Sequence, residues 1–369
     1  MTSFQQKYQL TDVINASGKM TILGVSKYRE AALDAQQEAG KNFYIMEELV
    51  DHVGKYLADL MDVEAAHVVS SASAGIAQSV AAIIGQGSAY HCMHPYTDQI
   101  TSREIILPKG HNVDYGAPIE VMIEVGGGRL VEAGYANKCT PEMIEAAITS
   151  ETAAIFYVKS HHAVQKSMST VAEVAAVAHK HQLPLIVDAA AEQDVHKYVE
   201  QGADIVIYSG TKAFEGPSSG LVIGRKKYVD WARLQSQGIG RAMKIGKENI
   251  LGLAAAIEDY LQQGPETATR MMERLDPFIV SLNHVPFIHA EAVQDEAGRE
   301  IYRARVTFSE DFSGTAMQVA AQLKQGSPAI YTRDYHTNEG IIDFDIRALD
   351  EHDMARIVEK LEQVLTHFI

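Results

Sequence analysis

Hydrophobic and polar positions alternate along the middle of the chain in a pattern that predicts helices and buried strands in turn. Continuous apolar runs occur at Ala153–Val158, Leu183–Val187 and Ile205–Tyr208, and the helical spacing of Val171–His181 separates the first two. Strands that are buried on both faces of a parallel sheet give such uninterrupted runs. The pattern therefore predicts an α/β fold with a mostly parallel, doubly wound sheet.

After Gly224 the pattern changes and predicts a smaller α+β domain. One long helix is predicted from Ala254 to Met272, strand-like alternation covers Phe287–Phe308 and Gly340–Ile346, and a final helix covers Glu351–Phe368.

We therefore expect a large domain over residues 45–250 and a smaller C-terminal domain over residues 251–369. The N-terminal arm, residues 1–44, has a less regular pattern and is expected to pack on both domains. The active site is expected between the two domains.

The composition excludes several classes of protein. The 369 residues include 32 Lys and Arg against 48 Asp and Glu, which gives a net charge of −16 and disfavours nucleic-acid binding. No apolar run approaches the roughly 18 residues that a membrane span needs, and the N-terminus lacks a secretory pattern. The two cysteines, Cys92 and Cys139, disfavour a structural zinc and suit a cytoplasmic location. An anionic small substrate would need a local cluster of basic residues.

The most informative stretch for chemistry is Leu183–Gly224. It contains a strand that ends in Asp188, a helix, and a strand that leads into the Ser-Gly-Thr-Lys sequence ending at Lys212. Ligands of open parallel sheets bind beyond the carboxyl ends of the strands. Pyridoxal phosphate needs such a pair, because a lysine forms the Schiff base and an aspartate keeps the pyridine nitrogen protonated. A structural ion pair or solvated loop charges would explain the two residues equally well.

A turn of small residues in Val68–Gly85 adds to this prediction, since it stands between an apolar strand and an apolar helix. A phosphate at the start of that helix would be offered hydroxyl and backbone N–H groups by Ser71, Ser73, Ala74 and Gly75. Close packing of the helix is the alternative explanation of the turn. Together with Ser209, the turn predicts a two-sided grip on a cofactor phosphate.

The segment GADIVIYSGTKAFEGPSSGLVIGRK resembles the lysine-bearing segment of the selenocysteine synthase family of fold-type I pyridoxal-phosphate enzymes. The similarity runs from about Asp12 to Leu349 and includes DVINASGKMTILG and IIDFDIRAL. The chain is most similar to a shorter branch of that family, a branch that includes an ammonia lyase. The chain's acidity and the lack of an extension for binding transfer RNA argue against a transfer-RNA substrate.

The resemblance implies a role for each matching position. Lys212 matches the Schiff-base lysine, and Asp188 matches the aspartate that pairs with the pyridine nitrogen. Four residues match positions that hold the cofactor phosphate: Ser73, Ala74, Gly75 and Ser209. The family pattern has glycine where Glu215 stands, a difference that bears on substrate contacts rather than on cofactor binding.

A basic segment is the first candidate for substrate binding. Arg241, Lys244 and Lys247 repeat every three residues, so a helical or turn-like course would place three cations on one face. In relatives this segment reaches anionic substrate groups, in the same or a neighbouring subunit. A solvated helix face or an interface salt bridge is the alternative.

Arg347 is the second candidate for substrate binding, because it matches a C-terminal arginine suited to a substrate carboxylate. Its guanidinium can form a bidentate pair that lysine cannot. A structural ion pair with Asp343 or Asp345 is the competing explanation.

Several histidines could contact the cofactor. His161 and His162 follow the strand IFYVK, and His161 is our candidate for contacting the ring oxygen or moving a proton, although both could simply shape the pocket. His91, His94 or His111 could stack on the pyridine ring, and the sequence does not decide among them. The sequence His91-Cys92-Met93-His94 resembles part of a metal-binding motif. No further ligands follow at suitable spacing, so no metal is expected.

Together with these residues, the resemblance implies a pyridoxal-phosphate-dependent carbon–nitrogen lyase that eliminates water and then releases ammonia from a phosphorylated amino sugar acid. Elimination or transfer at the β-carbon of a serine- or cysteine-like substrate is the alternative chemistry, and a non-catalytic, cofactor-bound regulatory protein is the alternative class. The expected partners are a small anionic phosphorylated substrate and further copies of the chain, as a homodimer or larger homo-oligomer, with neither nucleic acid nor membrane.

Overall fold

The computed structural model describes residues 3–160, 162–295 and 300–368. The chain forms two compact units, a larger one over Tyr28–Gln263 and a smaller one that combines Met1–Lys27 with Gly264–Ile369. Residues 28–44 and 251–263 thus lie in the larger unit. The division of the chain into an arm and two domains stays a prediction.

The elements of the described chain are as follows. The strands are β1 (Val13–Ala16), β2 (Ala65–Val69), β3 (Glu104–Pro108), β4 (Arg129–Ala133), β5 (Thr152–Val158), β6 (Leu185–Asp188), β7 (Ile205–Ser209), β8 (Gly220–Gly224), β9 (Ile288–Gln294), β10 (Tyr302–Phe308), β11 (Ala329–Thr332) and β12 (Ile341–Phe344). The α-helices are α1 (Phe4–Tyr8), α2 (Glu30–Lys41), α3 (Met46–Leu60), α4 (Ala72–Gly85), α5 (Ala89–Met93), α6 (Ile119–Val125), α7 (Pro141–Ala146), α8 (Val171–Lys180), α9 (Lys197–Glu200), α10 (Lys226–Leu234), α11 (Lys247–Gln263), α12 (Ala268–Leu282), α13 (Ala316–Leu323) and α14 (Glu351–Thr366).

The larger unit contains a seven-stranded sheet in the order β2-β8-β7-β6-β5-β3-β4. In this sheet β8 runs antiparallel to β2 and β7, and the other pairs of neighbouring strands are parallel. Every residue of β6, β7 and β8 is buried. The three apolar runs in the sequence correspond to β5, β6 and β7, and the predicted α/β fold class is confirmed. Since these strands are parallel, their carboxyl ends meet at one edge, where Asp188 ends β6 and Ser209 ends β7.

Local sequence signals explain where several helices of the larger unit begin. Thr170 and Glu173 form a reciprocal capping box at the start of α8, which satisfies backbone donors that the first turn leaves unpaired. Pro141 occupies the first position of α7, where its missing N–H costs nothing. These caps define where the two helices begin.

The smaller unit has a core of its own. A parallel pair joins β1 to β11, and an antiparallel sheet has the order β12-β10-β9. The single helix predicted over residues 254–272 is wrong, because α11 ends at Gln263 and α12 begins at Ala268. Gly264 adopts a left-handed φ of +72° and Pro265 follows it, so the helix cannot continue.

The described helices include none that combines the length and apolar character of a membrane span.

Candidate active site

Asp188 ends a central strand and is only 8% exposed. Its Oδ1 accepts a hydrogen bond from the Ala190 backbone N–H at 3.0 Å. Burial raises the pKa of Asp188 to about 6, although this hydrogen bond and the charge of Lys212 act in the opposite direction. Within the described chain, no cation lies within ion-pair distance of Asp188. A buried carboxylate in this state favours a cation beside it, so its surroundings fit a protonated pyridine nitrogen.

Lys212 lies in a closed loop after the neighbouring strand β7. The Gly210 N–H donates to the Ser219 carbonyl at 2.9 Å, and the Gly216 N–H donates to the Gly210 carbonyl at 2.8 Å. These two bonds close the loop on both sides of the lysine. Because the charge of Lys212 acts on Asp188, the structure brings the two predicted catalytic residues to one edge of the sheet.

The turn before α4 lies where the sequence predicts it, but most of its polar groups cap the helix. Ser71 caps the helix, since its Oγ accepts from the Ala74 N–H at 3.0 Å and its carbonyl accepts from the Gly75 N–H at 3.0 Å. Both predicted N–H donors are thus engaged within the helix. A Cβ on Gly75 would lie 3.0 Å from Ile207 Cγ2 in β7, so this glycine allows the helix to approach the sheet closely. Of the predicted groups in this turn, the Ser73 hydroxyl stays a candidate for the cofactor phosphate.

Ser209 supplies the second side of this predicted grip. It is buried at the end of β7, and its hydroxyl lies 3.0 Å from the hydroxyl of Thr211. Two hydroxyls therefore stand just before Lys212, of which the sequence predicted one.

Tyr115 was missed by sequence reasoning. Its hydroxyl lies 3.2 Å from Ser73 Oγ. Burial raises the pKa of Tyr115, the hydrogen bond with Ser73 lowers it, and the charge of Asp188 raises it further. Tyr115 therefore lies near both the small-residue turn and Asp188. It follows β3 in the chain, so the rule that ligands bind at the carboxyl ends of parallel strands could have found it.

The carboxyl end of β5 adds a second lysine. The Lys159 N–H donates to the Asp188 carbonyl at 2.8 Å, and its ammonium donates to Gln165 Oε1 at 2.7 Å. Burial lowers the pKa of Lys159. His161, the predicted contact of the ring oxygen, lies outside the described residues, so its role stays a prediction.

The three histidines considered for ring stacking have different surroundings. His111 is buried, its Nε2 bonds the Val164 carbonyl at 3.0 Å, and the Val158 N–H points to its Nδ1 at 3.4 Å. Burial lowers the pKa of His111 to about 4, so the ring is neutral. His91 is buried and His94 is exposed. In the described chain no three His, Cys, Asp or Glu side chains are grouped to hold a metal ion.

The basic segment does not form one helical face. Arg241 lies in a short 3-10 helix, Lys244 is extended with φ −62° and ψ 144°, and Lys247 begins α11. The ammonium of Lys247 contacts the Asn42 carbonyl and lies 5.4 Å from the centre of the Phe43 ring. The expected single face of three cations is therefore wrong, because the backbone changes course at Lys244. A role of these residues in substrate binding stays a prediction.

Arg347 makes the structural ion pair that the sequence left open. Its Nε and Nη2 donate to the two carboxylate oxygens of Asp345 at 2.9 and 2.7 Å. Arg303 adds a third contact to Asp345 at 3.2 Å, whereas Asp343 pairs with Arg305. Burial alone would raise the pKa of Asp345, but the two arginines hold it well below its ordinary value.

Arg333 follows β11 in the same unit and was also missed. Its guanidinium lies 5.0 Å from the centre of the Tyr335 ring. Burial and the charge of Arg303 lower the pKa of Arg333, although Asp345 acts against them. Among the described residues no carboxylate lies within ion-pair distance of Arg333. Such a cation is a candidate for binding an anion.

Comparison with known proteins gives consistent relatives. The sequence model of the family described as L-seryl-tRNA selenium transferase matches residues 13–359. The chain is 44% identical over 363 residues to D-glucosaminate-6-phosphate ammonia lyase of Salmonella typhimurium, covering 98% of each chain. It is 36% identical over 370 residues to 5'-C-glycyluridine monooxygenase-decarboxylase of a Streptomyces species, covering 98% of this chain and 93% of that one.

Solved structures agree with these relatives. A structure of D-glucosaminate-6-phosphate ammonia-lyase matches with a TM-score of 0.94 and 42% identity, covering 100% of this chain and 99% of that one. Aspartate aminotransferase from Thermus thermophilus matches with a TM-score of 0.52 and 15% identity over 97% of this chain and 93% of that one, which shows a shared fold alone.

Proposed function

The chain belongs to the L-seryl-tRNA selenium transferase family of pyridoxal-phosphate-dependent enzymes, and we propose that it is a carbon–nitrogen lyase acting on D-glucosaminate 6-phosphate. The proposed products are 2-keto-3-deoxygluconate 6-phosphate and ammonia. The water lost by elimination from the α and β carbons is returned when the nitrogen is released by hydrolysis, so ammonia is the net loss.

One observation carries the proposal, namely the buried carboxylate of Asp188 beside the loop of Lys212. Pyridoxal phosphate, when bound, supplies an electron sink for the charge that develops at the substrate Cα. Asp188 would hold the proton on the ring nitrogen, because a cation there offsets the cost of burying an ionised carboxylate.

Lys212 has two proposed tasks at its Nζ atom. It would first hold the cofactor covalently, and it would then accept the Cα proton once the substrate amine has taken its place. The closed loop between Gly210 and Gly216 fixes the backbone from which this side chain extends.

The hydroxyls of Ser73 and Ser209 are proposed to bind the cofactor phosphate, with Ala74 and Gly75 forming the helix start behind them. Tyr115 would orient the Ser73 hydroxyl, which it contacts at 3.2 Å. His161 is proposed to contact the ring oxygen.

Substrate anions are proposed to bind the basic residues of both units. In the smaller unit, Asp345 fixes the orientation of Arg347, and Arg333 adds a guanidinium whose pKa burial lowers. A bound carboxylate or phosphate would relieve the repulsion between Arg333 and Arg303. In the larger unit, Arg241 and Lys244 are exposed and are proposed to reach the substrate in the same or a neighbouring subunit, with Lys247 beside them.

A homodimer or larger homo-oligomer in the cytoplasm is proposed as the working form. Three neighbouring apolar side chains, Phe43, Ile45 and Met46, are exposed to 101%, 64% and 43%, and such a patch supports an interface between copies. The net charge of −16 supports a small-molecule substrate rather than a nucleic acid.

The test begins with the absorbance spectrum of the purified protein before and after borohydride, with peptide mapping of the modified lysine. We expect the label on Lys212. Addition of D-glucosaminate 6-phosphate should then release ammonia and 2-keto acid in equal amounts, and Lys212→Ala should release neither. Preferential turnover of a serine- or cysteine-like substrate would contradict the proposed substrate.

The Streptomyces relative, a 5'-C-glycyluridine monooxygenase-decarboxylase, gives a reason to consider a second activity, oxygen-dependent decarboxylation. Carbon dioxide release coupled to oxygen consumption, without equal amounts of ammonia and 2-keto acid, would favour that activity. A spectrum that no candidate amine changes, with no product, would indicate a non-catalytic protein.

A further inference from the structure

Glu215 has an unusual backbone conformation for a residue with a side chain. It lies three residues after Lys212 and has a φ of +53°, in the left-handed region that favours glycine. A glutamate in this conformation destabilises the loop unless its side chain makes offsetting contacts. Such a deviation near a catalytic lysine is a reason to look for a role of the side chain.

Arg29 provides those contacts. Its backbone N–H donates to the Glu215 carbonyl at 3.0 Å, and its Nε lies 3.7 Å from Glu215 Oε2. Its Nη1 lies 2.7 Å from Asp259 Oδ2 in α11. The Arg29 side chain is only 13% exposed, so water screens these ion pairs less than it screens surface pairs. Glu215 is therefore linked by backbone and by charge to the start of α2, and through Arg29 to α11.

An aromatic cluster holds the same part of the loop. Phe214 is fully buried and packs edge-on against Tyr260 of α11, with 5.4 Å between the ring centres. The Arg29 guanidinium lies 5.4 Å from the centre of the Tyr260 ring. The adjacent residues Phe214 and Glu215 are thus held in place, Phe214 by apolar packing and Glu215 by its ion pair with Arg29. Tyr260 contacts both Phe214 and Arg29.

Lys212 depends on this anchoring because its Nζ atom must reach the cofactor in one step and the substrate Cα proton in another. Backbone hydrogen bonds at Gly210 and Gly216 close the loop. Phe214 and Glu215 lie within this loop, on the C-terminal side of Lys212. Small displacements of a reacting group are costly, since about 1 Å can lower a rate by about a hundredfold.

We propose that Glu215 and Arg29 are a pair of positioning residues for Lys212. Their ion pair offsets the left-handed conformation of Glu215 and holds the lysine loop against α2 and α11. The inference rests on the proposed function, because it takes Lys212 as the residue that binds the cofactor and accepts the proton.

The test uses the full-length holoenzyme and the variants Glu215→Gly, Glu215→Gln, Arg29→Gln and the double variant with both glutamines. Each single variant should lower kcat about tenfold and leave KM within about twofold. Glu215→Gly should unfold no more easily than the wild type, since glycine removes the backbone strain. The double variant should lose no more activity than its worse parent, because paired residues are not additive.

A second measurement does not depend on the natural substrate. Hydroxylamine displaces Lys212 from the cofactor, and the absorbance change should be about fivefold slower in each variant because the lysine amine is less well aligned. Lys55→Met, which removes the exposed i,i+4 pair with Asp59 in the same unit, should leave both rates unchanged.

The proposal would be overturned by wild-type rates in both Glu215 variants or by fully additive losses in the double variant. Losses that only follow the unfolded fraction would overturn it as well. A wild-type protein that releases no ammonia but whose hydroxylamine rate depends on Glu215 would contradict the lyase and support the positioning role.

Discussion

Two aspartates at strand ends are almost fully buried, yet their pKa values move in opposite directions. Asp188 in the larger unit is 8% exposed, and burial raises its pKa to about 6. Asp345 in the smaller unit is 1% exposed, and Arg347 and Arg303 hold its pKa well below the ordinary value. Burial is similar, so the neighbouring cations make the difference.

The two aspartates differ in how the chain compensates their negative charge. Asp345 accepts a bidentate pair, which makes it a structural residue that orients Arg347. Asp188 accepts a backbone hydrogen bond and has no cation at ion-pair distance within the described chain, so a bound group with positive charge would stabilise its ionised form. A buried carboxylate with a raised pKa, such as Asp188, is typical of functional sites.

The largest effect that we expect is the loss of catalytic activity in the variant Asp188→Asn. The amide cannot hold the ring nitrogen protonated, so kcat should fall by about 10²- to 10⁴-fold, while Lys212 still forms its bond to the cofactor. Steady-state ammonia release and borohydride labelling measure the two effects separately. Asp230→Asn, at an exposed surface pair, serves as the control. A near-normal kcat in Asp188→Asn would contradict the contrast, because Asp188 would then be a structural residue like Asp345.

The next effect is on stability and should affect the other aspartate. Asp345→Ala leaves Arg303, only 4% exposed, without one of the two carboxylates that pair with it in the described chain. Breaking a buried pair on one side costs about 3–5 kcal/mol, so the free energy of unfolding should fall by about that amount. Denaturant unfolding of Asp345→Ala and Asp188→Asn measures the contrast. Equal losses in the two variants would contradict it.

Much of the larger unit could be predicted from sequence because its signals are local. Uninterrupted apolar runs gave β5, β6 and β7, and the residues that end two of these strands gave Asp188 and Ser209. Lys212 follows from the same rule. The break between α11 and α12 was also visible, since Gly264 and Pro265 stand inside the predicted helix. A strong local stop of this kind ends a helix even where helical periodicity continues beyond it.

The remaining site residues depend on contacts between distant parts of the chain. Whether Arg347 is paired depends on Asp345 and on Arg303, which the antiparallel pairing of β10 with β12 brings to the same sheet. Arg333 stands out only because no carboxylate of the described chain reaches it, a property that no sequence window contains. Tyr115 is recognised by its distance to Ser73, 42 residues earlier.

The smallest effect is a dependence of stability on pH that should differ between apoprotein and holoenzyme. An unfolded aspartate has a pKa of about 4, whereas Asp188 in the folded apoprotein has a pKa of about 6. Between these values the folded state binds more protons at Asp188 than the unfolded state does, so the contribution of Asp188 to stability is fully present below pH 4 and is lost as the pH rises through 6. The two-unit shift corresponds to at most about 3 kcal/mol.

Asp188→Asn isolates this contribution, because other titrating groups are common to both proteins. The free energy of unfolding of the apo variant should rise relative to the apo wild type by about 2–3 kcal/mol between pH 4 and pH 7. Bound pyridoxal phosphate should abolish or reverse the trend, since its ring cation favours the ionised Asp188. Asp345, with its lowered pKa, has the opposite sign and loses its contribution only as the pH falls below about 4. A constant difference across pH 4–7 would show that Asp188 is ionised in the apoprotein and already neutralised, as Asp345 is.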